Sequence, residues 1–473
     1  MIHQEQTEDR QEQTEGRQKQ TTEHQERTAG KASMISGNPA RPLILFAIPM
    51  VVGNLFQQFY NIIDSMVVGN VVGSDALAAV GASTSITMLF VMIAIGTGIG
   101  CSVVISQLYG AGKLEKMKTA ISTALISILI FSILLSITGM VINRGLLRLM
   151  GTPEDIFKDA VAYLQIYFYG FVFLFLYNSF SAIFNALGDS VKPLVFLIFS
   201  SLLNIALDIY FVASLHMGVA GAAWATLIAQ GISAVLSFVF LMKKLRGLHT
   251  EKFAFYDFSM LQSMVKVAVP TVIQQSIVSI GMILIQAVVN RFGSTFLAGY
   301  TAAVKIDGIA IVPMVAVGNA MSTYVAQNMG AGKPKRIGKG YRICLAMAAG
   351  IGLMIAVIFY FCGPQFVGLF MDSETGAEAI AIGARYLSIV SLFYFVMGIM
   401  NVSNGVLRGA ADMKWFLICS LSNLTTRVAL TYALADVTGG MIIMWANPAG
   451  WFVGLVIAAA RYFQGDWKKK KLV

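Results

Sequence analysis

The chain has 473 residues, of which 57% are hydrophobic and 12% charged, with a mean hydropathy of +0.72. Soluble domains carry about 25% charged residues, so this composition excludes a soluble globular protein. The net charge of +10 then reads as a bias in membrane orientation, with some attraction to anionic lipid, rather than as a nucleic-acid footprint.

The first 33 residues stand apart from the rest. EQTEDRQ is followed directly by EQTEGRQ, and a tract with so few apolar residues has little to bury. Residues 1 to 38 are therefore expected to form a disordered polar extension that lacks the apolar core of a signal peptide, with Met34 a candidate second start.

Beyond it, twelve apolar stretches long enough to cross about 30 Å of hydrocarbon as helices follow one another. They lie near 43–68, 83–107, 119–143, 160–185, 193–215, 220–242, 264–290, 302–326, 341–361, 386–407, 415–435 and 440–461. None alternates with the period of a lipid-exposed strand. Loops after even-numbered spans are rich in Lys and Arg, among them Lys113, Lys192, Lys243, Lys333 and Arg408. Loops after odd-numbered spans hold few, among them Arg144, Arg148, Lys158 and Arg291. By the positive-inside rule the even loops and both termini are cytoplasmic.

The apolar region is written twice. GSDALAAV (73–80) matches GSTFLAGY (293–300), and SQLYGAGK (106–113) matches AQNMGAGK (326–333). Farther on, Tyr163 meets Tyr386 and Asp189 meets Asp412. Six helices per half is an even number, so the halves share one orientation, as in parallel repeats that place a substrate path between two lobes. The reading is an all-α integral membrane protein with two six-helix lobes. The amino-terminal lobe spans 39–247, a linker 248–262, the carboxy-terminal lobe 263–465 and a basic tail 466–473. GAGK is followed by Leu114 or Pro334 and so cannot be a phosphate-binding loop; it reads as a helix stop. GTGIG (96–100) lies inside a span and reads as close helix packing. The four cysteines show no ligand spacing. No HExxH motif and no Ser/His/Asp arrangement supports an enzyme.

Of the seventeen Asp and Glu after residue 33, only Asp64 and Asp208 lie well inside apolar windows. Such carboxylates are costly in lipid and mark ion or substrate paths. Asn54, Gln57, Asn61 and Asp64 share one face of the first span, and Ser200, Asn204 and Asp208 share one face of the fifth. Counted from the basic loops at about 1.5 Å per residue, the two aspartates sit at comparable depth in the outer half. The second half is chemically different: Gln274 and Gln275 replace a carboxylate in the seventh span, and Arg427 stands opposite Asp208. Arg427 reads either as a cation bonded to helix carbonyls or as a substrate contact. Lys305 and Asp307 read as an interfacial pair or a gate.

YNIIDSMVVGN (60–70), the duplicated GAGK, NALGDSVKP (185–193), and NIALDIYF (204–211) followed by GVAGAAWAT (218–226) resemble the multidrug and toxic compound extrusion (MATE) family over about residues 40–465. The resemblance implies a secondary antiporter of the bacterial cytoplasmic membrane. It would act without a cofactor, as a monomer with no nucleic-acid partner, exporting organic, often cationic and lipophilic compounds in exchange for protons or sodium. The family's amino-lobe cation site falls on Asp64, Asn204 and Asp208, and the surrounding polar positions Asn54, Gln57, Asn61, Ser200 and Gln275 become candidate cavity residues. A seventh span without glutamate points to the proton-coupled, DinF-like branch, with sodium at the same aspartates the alternative. A flippase for a lipid-linked saccharide or other amphiphile is the second reading; it calls for several cations in the cavity.

Overall fold

The structure, a computed structural model, describes residues 34–470 and 472 apart from 72–73, 249, 251 and 371–375. Inside the first two helices the side chains of 62, 64–71, 74–77 and 85 are likewise outside the description. The chain is built of helices that span most of each apolar stretch. In the first lobe these are α1 (Ala40–Val71), α2 (Ser74–Gly110), α3 (Leu114–Leu149), α4 (Glu154–Ala186), α5 (Val191–Asp208) and α6 (Gly218–Arg246), with a π-helix, Ile209–Ser214, extending α5. The second lobe holds α7 (Phe258–Val289), α8 (Gly293–Ala310), α9 (Val312–Gly330), α10 (Pro334–Gly368), α11 (Ala377–Ser391), α12 (Tyr394–Gly409), α13 (Met413–Thr438) and α14 (Met441–Gln464).

Two of the second lobe's six spans are broken. α8 and α9 meet at Ile311 beside Pro313, which lacks an amide hydrogen and so suits the first turn of a new helix. α11 and α12 meet at an angle of 50°. By length and apolarity alone, nine stretches pass as spans among the described residues, with 258–330 run together as one and the bent pair separate. Dividing 258–330 into two, joining the bent pair and adding α13, whose Lys414, Arg427 and Asp436 lower its apolarity, restores the twelve expected spans.

The repeat is visible in the helix ends. Gly112 and Gly332, the last residues of each GAG, both take the left-handed conformation, with φ of +69° and +66°, and the amide of the lysine after each closes the helix, Lys113 onto Leu108 O and Lys333 onto Asn328 O. The GAGK segments are helix stops, as expected. Farther along each lobe, Asp189 pairs with Lys244 at 3.2 Å and its counterpart Asp412 with Arg461 at 2.8 Å.

The lobes meet at the end that bears the basic loops. There α2 and α9 cross so closely that a Cβ on Gly110 would run into Gln327 O and a Cβ on Gly330 into Gln107 O. Small residues allow this kind of backbone approach between membrane helices. The two glutamines bond across the seam in a reciprocal way: Gln107 Nε2 donates to Gly409 O at 3.1 Å, and Gln327 Nε2 donates to Ala186 O at 2.8 Å. GTGIG continues the seam inward, with Gly96 against Val272 and Gly100 against Ala268 of α7, so the packing role expected for that motif holds, here between lobes.

Of the expected polar extension, residues 1–33 lie outside the described residues. Residues 34–38 are anchored, which corrects the boundary. Met34 is buried among α9 and α10 side chains, and its carbonyl accepts from Asn328 Nδ2 at 3.1 Å. Arg336 donates to the carbonyls of Ser36 and Gly37 at 2.6 and 2.5 Å. An apolar Met followed by backbone carbonyls within reach of a fixed guanidinium is enough to order five residues.

Candidate functional site

The amino-lobe site grows from the four-residue spacing on α5. Ser200, Asn204 and Asp208 all point inward, and Asp208 is fully buried. Ser200 donates to Ala229 O of α6 at 3.4 Å. Asn204 is bonded to the Tyr60 hydroxyl of α1. With its amide turned so that both ends are satisfied, Asn204 donates to Asp208 Oδ2 at 3.1 Å and accepts from the Thr226 amide of α6 at 3.0 Å. Three helices thus converge on one amide and one carboxylate. Directly after Asp208 the backbone widens into the π-helix, a distortion found frequently at functional sites. A small cleft beside the site, lined by Tyr167, Thr226 and Gln230 among others, opens between α4 and α6.

Asp64 belongs to α1, and its backbone lies one turn beyond Tyr60; its side chain is outside the described residues. Of the remaining stripe, Gln57 Nε2 donates to Asn61 Oδ1 at 3.1 Å along the same helix, and Asn54 is exposed. Neither reaches Asn204. Gln275 sits where α7 meets α2, with Met92 Sδ 3.4 Å from its amide nitrogen, so it lies between the lobes rather than at the carboxylate. Sequence reasoning did not single out Tyr60 and Thr226. The available signals were Tyr60 at helical spacing from Asp64 and Thr226 closing the GVAGAAWAT segment.

The carboxy lobe holds a second polar cluster. Asp307 of α8 accepts from the Tyr394 hydroxyl of α12, while Lys305 turns away, its ammonium 5.8 Å from the Phe370 ring. Of the two readings of Lys305 and Asp307, an interfacial pair or a gate, the pair does not form among the described residues, because residues two apart on a helix do not share a face. Arg427 of α13 reads from the sequence either as a cation bonded to helix carbonyls or as a substrate contact. Its guanidinium makes no hydrogen bond or ion pair among the described residues, and its Nε is buried without a partner. Asn447 Nδ2 donates to the Tyr386 hydroxyl at 2.9 Å nearby. No group of three or more metal-ligating side chains occurs among the described residues.

Two lobes of six spans, sharing one orientation, packed at one end and carrying polar clusters inside each bundle, define the class: a repeat-built membrane transporter. The MatE family model matches residues 49–210 and 270–433, one copy in each lobe, and the chain belongs to that family, the multidrug and toxic compound extrusion transporters. It is 32% identical over 445 residues to the probable multidrug resistance protein YpnP of Bacillus subtilis (strain 168), covering 92% of this chain and 97% of that one. It is 29% identical over 443 residues to YoeA, a probable multidrug resistance protein of the same organism, with 91% and 95% covered. Its fold matches an outward-facing conformation of a multidrug resistance MATE family transporter with a TM-score of 0.85 at 24% identity, over 92% of this chain and 98% of that one.

Proposed function

We propose that the protein is a secondary antiporter that exports organic, predominantly cationic and lipophilic compounds against an inward flow of protons, with Asp208 and Asp64 as the coupling carboxylates. The observation that carries this reading is the fully buried Asp208, held beside Asn204 where α1, α5 and α6 converge. A carboxyl group out of water is favoured in its protonated form unless a cation joins it. A proton and a cationic compound then oppose each other at one place, which is the differential binding that exchange requires. The names of the B. subtilis relatives support multidrug compounds as the cargo. Lobes closed over the Gln107–Gln327 seam support access to the polar clusters from the opposite end, the stage at which a proton would enter and cargo would leave.

The test is dye efflux from proteoliposomes under an imposed pH gradient, repeated with a sodium gradient at fixed pH. Asp64→Asn and Asp208→Asn should each abolish gradient-driven export while the variants remain folded, since an amide keeps the shape but cannot carry a proton. Full proton-driven export by both variants would sink the reading. Export that follows sodium alone would replace the proton by sodium at the same carboxylates.

A further inference from the structure

The two polar clusters occupy corresponding places in the repeat. Asn204 and Asp208 of α5 align with Asn423 and Arg427 of α13, Tyr163 with Tyr386, and, through the shared Trp-Ala step, Thr226 of α6 with Asn447 of α14. One amide position and one phenol position are thus retained, Thr226 is replaced by an amide, and the charge beside them is reversed. In the amino lobe the asparagine is satisfied on both sides. In the carboxy lobe three buried polar atoms, Arg427 Nε, Asn423 Oδ1 and Asn447 Oδ1, have no hydrogen-bond partner.

Arg427 Nε is buried without a partner, and leaving a donor of a charged group buried and unsatisfied is costly, so the side chain is set to receive an acceptor. Its stem is accommodated deliberately: a Cβ at Gly450 would collide with Arg427 Cγ and lie 2.6 Å from Asn423 Oδ1. Arg427 as a whole is half-buried rather than sealed. Asp307, itself half-buried and bonded to Tyr394, lies within electrostatic range of Arg427 but makes no ion pair with it among the described residues. A fork of N–H donors without an acceptor matches a carboxylate or phosphate, and the nearby Asp307 complements a positive charge on the same molecule.

We infer that the carboxy lobe holds an oxyanion site, in which Arg427 receives a carboxylate or phosphate oxygen of an otherwise cationic, lipophilic cargo. The inference rests on the export reading for its physiological meaning, but a binding measurement tests it independently. Purified protein in detergent is titrated with a xanthylium dye bearing a free carboxylate and with the ethyl ester of the same dye, following fluorescence anisotropy. The two ligands share the cationic ring system and differ only in the oxyanion.

The protein should bind the acid more tightly than the ester. Arg427→Gln should weaken the acid by about tenfold or more, the loss expected for a charge-assisted bond, and leave the ester within about twofold. Arg427→Lys should retain part of the preference and serves if the glutamine variant folds poorly. Equal binding of acid and ester by the unaltered protein overturns the site, as does an equal loss of both ligands in Arg427→Gln. Competition by phosphatidylglycerol but not phosphatidylcholine in nanodiscs, lost in the variant, assigns the oxyanion to a lipid headgroup; its absence assigns it to the soluble compound. Because the readout is binding, failure of proton-coupled efflux would leave this result standing, and the converse also holds.

Discussion

At the scale of single residues, the repeat shows one place where equivalent backbone is held by unequal chemistry. After α4 the turn residue Gly188 has φ +77°, and after α12 its counterpart Ala411 has φ +59°. In both turns the following aspartate amide closes the helix, Asp189 onto Phe184 O at 2.9 Å and Asp412 onto Leu407 O at 2.8 Å. Left-handed backbone costs an L-residue with a Cβ roughly 1–2 kcal/mol, and glycine nothing comparable. Ala411→Gly should therefore stabilise the protein by about 1 kcal/mol and Gly188→Ala destabilise it by a similar amount, read as opposite shifts in melting temperature in detergent. A Cβ at Gly188 meets nothing closer than Gln327 Nε2 at 3.6 Å, so conformation alone sets the sign there. Asp208 belongs to the same scale. It was legible as a candidate because a carboxylate in an apolar run has few explanations, whereas Tyr60 is one of many aromatic residues and stands out only through the bond to Asn204.

At the scale of helices, the α2–α9 crossing at the basic-loop end is a contact made from a matched pair. Gln107 and Gln327 each donate one bond across the seam, and both side chains are buried. A buried hydrogen bond contributes about 1 kcal/mol net, and about 1.4 kcal/mol changes a two-state ratio tenfold. Gln107→Ala combined with Gln327→Ala should hence raise the fraction open at the basic-loop end by roughly ten- to thirtyfold. Spin-label distances between that end of α3 and that end of α10 would report it; an unchanged distance distribution would show that backbone packing at Gly110 and Gly330 suffices without the glutamines. The glycines of GTGIG were readable as close packing, whereas Gly110 and Gly330 of this crossing read only as parts of helix stops. That the packing joins lobes rather than neighbours within one lobe follows from α7 and α9 leaning onto α2, which no periodicity encodes.

For the whole molecule, the distribution of Lys and Arg predicts that the loops at Thr152 and Gly439 face the side opposite the GAGK turns. Single cysteines at these positions, with the exposed Cys362 first replaced and the buried Cys101, Cys344 and Cys419 left in place, should react with an impermeant thiol reagent from outside intact cells. Cysteines at Lys113 or Lys333 should react only after permeabilisation, and the reverse pattern would invert the topology. The amino terminus gives a companion test. Removing residues 1–33 should leave melting temperature unchanged, while removing 1–38 should lower it, because Met34 and the carbonyls bound by Asn328 and Arg336 go with it.

What the sequence alone determined is what depends on local composition and period: the membrane class, the twelve spans, the doubling, the helix stops and the α5 carboxylate. Each follows from side chains compared with solvent or lipid one segment at a time. What only the tertiary structure decided is which polar groups meet. Asp307 turned to Tyr394, Arg427 makes no bond to helix carbonyls among the described residues, residues 34–38 found partners nearly three hundred positions away, and the second lobe set an arginine at the place of the first lobe's aspartate. Those outcomes depend on packing between helices distant in the chain, where a rotation of one residue moves a side chain about 100° around its helix and changes its neighbour.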